Sequence, residues 1–278
     1  MASSLDMAIQ RKRRARPIVI DDTIRAELDA AGDRQQAQAS QSAKKNYAQA
    51  FSNALARKVA NALRPRFSGI LPDEDGRGAE SRARTSKGFK KLDVNYSTLD
   101  LGLALGVSLK SVNFPEGVAN NYAKNVTRVD NELRAEADDY HSRQPYAVLV
   151  ALYFAPVDAA LNATKKKPSS FGHMVRTLRY RAMRSRTSDP ATFFEKIYIG
   201  LYAAEGPDRG VVRFFDVEWD PPWSGLPSRS LSFTQVTDEI SVLFVERNKT
   251  DFVWADRGLK RDDLRTPEDE ALEIKSPD

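Results

Sequence analysis

A mixed α/β fold, one β-sheet flanked by α-helices, is what this chain predicts, and three patterns predict it. Residues 92–96 and 101–110 alternate in side-chain character, as strands with one buried face do. The run YAVLVALYFAP at 146–156 is almost continuously apolar, as expected of a strand covered on both faces. Stretches with helical periodicity lie before, between and after these strands.

Composition sets the bounds. The 278 residues suffice for one large domain, and 41% hydrophobic with 29% charged residues imply a folded body. A net charge of +5 permits a nucleic-acid partner without requiring one. Without cysteine there are no disulfides, thiolate zinc sites or cysteine nucleophiles, and two histidines, His141 and His173, exclude a multi-histidine metal site. No apolar run approaches the roughly 20 residues that span a bilayer, and the N-terminus lacks the apolar core of a signal peptide. The expectation is a soluble, cytoplasmic protein without a membrane partner. It would have a basic, disordered arm at 1–20 (RKRRAR at 11–16), one α/β domain over 21–256, and a loose acidic tail over 257–278.

In order, Asp21 or Asp22 would cap a short helix ending near Ala31. Tyr47, Phe51, Leu55, Val59 and Leu63 recur every fourth residue, the stripe of an amphipathic helix that ends before Pro65. Residues 66–90 lack periodicity and read as a mobile loop, with Pro72-Asp73 as a turn dipeptide. Along 101–110, leucines and Val107 form an aliphatic face; Gly102, Ala104, Gly106, Ser108 and Lys110 form a small, polar one that lets another chain or a ligand approach closely. After a loop, a helix over 129–142 places Leu133, Ala137 and Tyr140 on one side and Glu132, Glu136 and Asp139 on another. A serine-capped helix carrying arginines follows over 169–186, then strands at 196–203 and 211–218, and a helix at 234–248.

The chemistry gathers between residues 92 and 141. Asp100 is excluded as a partner of Lys110, because a continuous strand would part them by roughly 33 Å. A reversal near 99–102 instead sets Asp93 opposite Ser108 or Lys110, where facing Cβ atoms lie about 4.5–5.5 Å apart. The following helix can aim Glu132 or Glu136 at the same place. Two carboxylates and a lysine suit metal-assisted phosphodiester hydrolysis, since hard oxygens hold Mg²⁺ and a lysine can act on the attacking water. A structural Lys110–Glu136 ion pair is the competing reading.

Asp93, the strand ending Val107-Ser108-Leu109-Lys110 and the acidic helix after it resemble the PD-(D/E)xK, restriction-endonuclease-like nucleases. That family's usual acid two residues before the lysine is Ser108 here, and Leu92 stands where its proline precedes the aspartate. One restriction-endonuclease subgroup similarly has Ser-x-Lys on the strand, with the second carboxylate moved to a helix bearing Arg-x-Asp and Arg-x-Glu. Arg128-Val129-Asp130 and Arg134-Ala135-Glu136 are similar. The resemblance implies a restriction-endonuclease-like α/β core and Mg²⁺ (or Mn²⁺) held by Asp93 and Glu136, or Glu132 in its place. Lys110 would act on the water, and Ser108 would sit beside the metal. The implied role is endonucleolytic defence against foreign DNA, on double-stranded DNA, by a homodimer or higher homo-oligomer. A non-catalytic DNA-binding or scaffold protein on the same fold is the alternative.

Outside that stretch, Arg128, Arg134, Arg176, Arg179 and Arg184 are candidate DNA-phosphate contacts. His141 is expected to satisfy nearby carbonyls, and Trp219 and Trp223 to serve packing and turns. The chain has no GxxxxGK phosphate loop.

Overall fold

The computed structural model describes residues 21–35, 38–98, 102–115 and 120–247; the basic arm, the acidic tail and Asp100 lie outside them. Helix α1 (Arg25–Ala31) starts without a side-chain cap. Asp21 instead accepts from the Thr23 N–H, and Asp22 reaches the distant Thr234 N–H at 2.8 Å. Helix α2 (Gln41–Leu63) is capped by Ser40 and buries the expected stripe, Tyr47 to Leu63.

Part of the expected 66–90 loop is an ordered hairpin. Strands β1 (Ser81–Thr85) and β2 (Gly88–Leu92) pair antiparallel as a separate two-stranded sheet. Its signal is weak because cations occupy most of its outward positions and Ala83 and Leu92 alone mark the core side. Pro72-Asp73 does lie in a turn, Asp73 accepting from the N–H groups of Asp75 and Arg77.

The main sheet has five strands in the order β3-β4-β5-β6-β7: β3 (Val94–Thr98), β4 (Gly102–Ser111), β5 (Val148–Pro156), β6 (Lys196–Tyr202) and β7 (Val212–Asp216). β4, β5 and β6 run parallel, and β3 and β7 border them antiparallel, so the sheet is mixed. β5 is buried at every position, as its apolar run predicts. A bulge between Tyr96 and Ser97 inserts Ala104 into the β3–β4 ladder, turning Leu103 away from the face of Leu105, Val107 and Leu109.

Helices cover both faces. α1, α2 and α6 (Phe233–Arg247) pack against Val94, Val107, Val150 and Phe214. α3 (Val126–His141) and α5 (Ser170–Arg179) pack on the other face against Leu149, Ala151, Ile199 and Phe215, with α4 (Asp158–Leu161) between β5 and α5. Gly106 and Ser108 of β4 look toward α3, whereas the bulge turns Ala104 to the opposite core, and the space over Gly106 is taken. A Cβ there would meet Leu149 at 2.9 Å and Leu92 at 3.0 Å, so β5 and the hairpin together fill that space. No helix among the described residues is long and apolar enough to cross a membrane.

The arginine-rich segment is not one helical face. α5 ends at Arg179, and past Met183, at a positive φ of 78°, the Arg184 N–H donates to the Phe194 carbonyl, so the chain leaves the helical path. The arginines therefore diverge. Arg176 stays exposed over the Trp223 ring, and Arg181 forms a bidentate pair with Asp130 on α3.

Candidate active site

Asp93 sits at a corner between two sheets. Leu92 closes the hairpin on the α3 side, while Val94 opens β3 on the opposite side, so the single residue between them turns inward beside β4. Val94 pairs with Val107, and continuing that register sets Asp93 beside Ser108. The Leu109 N–H donates to Asp93 Oδ2 at 2.6 Å, which fixes the carboxylate against the strand.

Ser108 and Lys110, two apart on β4, face α3 together. Glu136 comes down from α3 to meet both. The Ser108 hydroxyl donates to Glu136 Oε1, and Lys110 Nζ lies 3.7 Å from Oε2. The helix can deliver Glu136 there because Leu133, Ala137 and Tyr140 seat α3 on the sheet with that turn over β4. Glu136 retains 15% side-chain exposure and Lys110 24%, so solvent reaches the cluster from one side.

Electrostatically this cluster is short of positive charge. Burial pushes the Asp93 carboxyl above its usual range, against the Leu109 N–H and Lys110. Burial does the same to Glu136, opposed by Lys110 and the Ser108 hydroxyl and reinforced by Asp93. Lys110 thus serves both carboxylates, while Lys90, which also acts on Glu136, is bound to Asp139.

The structure brings Asp93, Ser108, Lys110 and Glu136 together across more than forty residues of chain. It does not bring Glu132: one turn earlier, that residue is exposed and pairs with Arg128 at 3.7 Å, away from Lys110. No cluster of three or more His, Cys, Asp or Glu suited to a metal occurs among the described residues. Two oxygen-donor carboxylates do fit Mg²⁺ or Mn²⁺, which keep several waters and need only one or two protein carboxylates.

The chain matches no known family model, no curated protein and no solved structure. Its reading rests on its own geometry.

Two of the candidate DNA contacts require correction. Arg184 is 2% exposed; its guanidinium donates to the carbonyls of Pro145, Arg186 and Thr187 and faces Glu195, so no duplex can reach it. Arg179 is bound to the carbonyls of Val217 and Trp219 and to Asp220, which makes it a brace for the turn after β7. Arg128, Arg134 and Arg176 remain at the surface. His141 satisfies carbonyls as expected, those of Ala191 and Ala147, and it also meets Glu195. Trp219 packs on Phe215, and Trp223 Nε1 donates to the Thr164 carbonyl.

The cations of the hairpin went unread in the sequence. Lys90 and Lys87 both reach Asp139 on α3, and Lys90 acts electrostatically on Glu136 as well. The spacing SRARTSKGFKK, cations around a Ser-Lys-Gly turn, was the available signal.

Proposed function

We propose that the chain is a metal-dependent endodeoxyribonuclease of the restriction-endonuclease-like kind, hydrolysing phosphodiester bonds of double-stranded DNA. The observation that carries this reading is the meeting of Asp93, Lys110 and Glu136 in a solvent-reached recess with a deficit of positive charge. A divalent cation supplies the missing charge, and buried carboxylates disfavoured as isolated anions are suited to bind one.

In this reading Asp93 and Glu136 hold Mg²⁺ (or Mn²⁺), which when bound polarises the phosphoryl oxygen and acidifies a water. The chain's own groups do the rest. The Leu109 N–H holds one oxygen of Asp93 and the Ser108 hydroxyl holds one of Glu136, so each carboxylate presents a fixed remaining lone-pair set. Lys110, anchored on the strand beside both, orients the attacking water and offsets charge developing on the phosphate. Ser108 thereby acquires a reason to stand where an acid is usual: it positions the carboxylate that has moved to α3.

A defence role against foreign DNA, and a homodimer or higher homo-oligomer that cuts both strands, extend the same reading. The test is incubation of supercoiled plasmid with Mg²⁺ or Mn²⁺ and with EDTA, for the native chain and Lys110→Ala. Metal-dependent nicking or linearisation that Lys110→Ala abolishes is expected. Binding without cutting under every divalent metal tried would replace the nuclease by a non-catalytic DNA-binding protein.

A further inference from the structure

The hairpin that leads into Asp93 has a face that the site chemistry does not use. Between Ser81 and Leu92 it carries Arg82, Arg84, Lys87, Lys90 and Lys91 and no acidic residue. Its inner side is anchored. Ala83 and Leu92 join the core beneath α3, Lys87 and Lys90 hold Asp139, the Ser86 N–H donates to the Asp139 carbonyl, and Tyr140 Oη donates to the Lys90 carbonyl. Burial opposes ionisation of Asp139, but hydrogen bonds from Lys90 and Lys87 hold its carboxyl below the usual range.

The outer side is a different surface. Arg82 stands opposite Lys91, and Arg84 opposite Phe89 with its guanidinium 5.5 Å from the ring centroid. Like charges directly opposed across a ladder are destabilising, and only Lys91 is relieved, by Glu80. Arg82 and Arg84 have no carboxylate partner among the described residues. Phe89 is 62% exposed between cations. Uncompensated cations around an exposed aromatic ring, on a rigid two-stranded ribbon, match a polyanion with flat apolar faces. A two-stranded ribbon also fits the DNA major groove.

We propose that this β1–β2 hairpin is the element that grips duplex DNA beside the site, with Arg82 and Arg84 on phosphates and Phe89 against the base or sugar faces. This deepens the nuclease reading and rests on it for the position of the cut. Phe89 precedes Asp93 by four residues, a span of roughly 13 Å or about four base-pair steps. That span is an upper bound, so a duplex held on the ribbon lies within reach of Asp93, and the Asp139 anchor ties the ribbon to the helix that carries Glu136.

The test is the anisotropy of a labelled duplex in EDTA over a salt series, with cleavage in Mg²⁺ measured in parallel and folding checked by thermal melting. For the double variant Arg82→Ala/Arg84→Ala, affinity should fall about tenfold or more and the salt slope shrink by roughly 2, near 0.9 per phosphate contact. Phe89→Ala should lose about fivefold or more with the salt slope unchanged. Lys110→Ala should fail to cut while changing the salt slope by no more than about one phosphate contact. Hairpin variants that melt normally and bind duplex like the native chain overturn the proposal. So does a native chain that ignores duplex and takes an acidic peptide instead. If the native chain binds through the hairpin but never cuts, the nuclease reading falls and the hairpin stands. If the hairpin variants bind and cut normally while Lys110→Ala does not cut, the hairpin falls and the nuclease stands.

Discussion

Two charged clusters flank α3, and they differ in a way that separates structure from chemistry. At the helix end, Glu195 accepts the Leu149 N–H at 2.8 Å and faces His141, Arg184 and Arg247. The side chains of Glu195 and His141 are fully sealed, and both arginines also donate to the Pro145 carbonyl. Cations outnumber the acid and are spent on carbonyls. Little more than one turn from that end, Asp93 and Glu136 share Lys110, keep contact with solvent, and have carboxyls pushed upward by burial. The first cluster ties the start of β5, the approach to β6 and the end of α6 together through ion pairs at 3.3–3.9 Å, with Glu195 Oε1, Arg184 Nε and Arg247 Nε left without a hydrogen-bond partner among the described residues. In the second, burial disfavours the ionised carboxyls, which in the proposed reading suits them to a bound cation.

The contrast breaks most visibly in stability. Glu195→Ala strands two buried arginines, so a loss of about 3–5 kcal/mol is expected from chemical denaturation. An effect below about 1 kcal/mol would remove the distinction between the clusters.

Ser108→Ala sharpens the comparison from the other side. The buried hydroxyl holds Glu136 in place, so DNA cleavage should drop on the order of tenfold, with melting little changed. Cleavage at the native rate would reduce Ser108 to packing.

Glu136→Gln should make the metal-free chain more stable at neutral pH, by about 1 kcal/mol, whereas a Glu195 variant cannot gain. The sign follows from the raised carboxyl. Stability tied to the protonated form is present below the ordinary carboxylate range and is lost as pH rises through the elevated value, and glutamine removes that loss. A metal-free chain that becomes more stable as pH rises from the acid range toward neutrality, with Glu136→Gln abolishing the gain, would contradict the deficit of positive charge. The smallest effect is at the hairpin: Asp139→Asn should cost no more than about 1 kcal/mol, because the asparagine keeps the buried shape and both lysines reach solvent, Lys87 72% and Lys90 43% exposed, yet speed hydrogen exchange across β1 and β2.

Much of the sheet was legible because its signals are local. The apolar run of β5, the alternation of β4 and the fourfold stripe of α2 each state their own burial. Asp93 was legible through hairpin register only to within one residue, since the bulge between Tyr96 and Ser97 shifts the ladder and sets Val94 against Val107 rather than Gly106. The choice between Glu136 and Glu132 was not, because both point off one helix and only the seating of Leu133 and Ala137 decides which reaches the strand. The β1–β2 hairpin escaped notice because charged outer positions hide its period, and its core side depends on Gly106 and α3, remote in sequence. Arg184 failed as a surface residue for a similar reason: the departure from the helical path that buries it leaves no periodic trace.

The most direct measurement is the DNA cleavage rate of Glu136→Gln beside Glu132→Gln, each with Mg²⁺ and with EDTA. Glu136→Gln should fall on the order of a hundredfold or more, and Glu132→Gln should stay within about threefold of the native chain, with no cutting in EDTA. Cleavage by Glu136→Gln at the native rate, or cutting by the native chain that EDTA does not stop, would contradict the account.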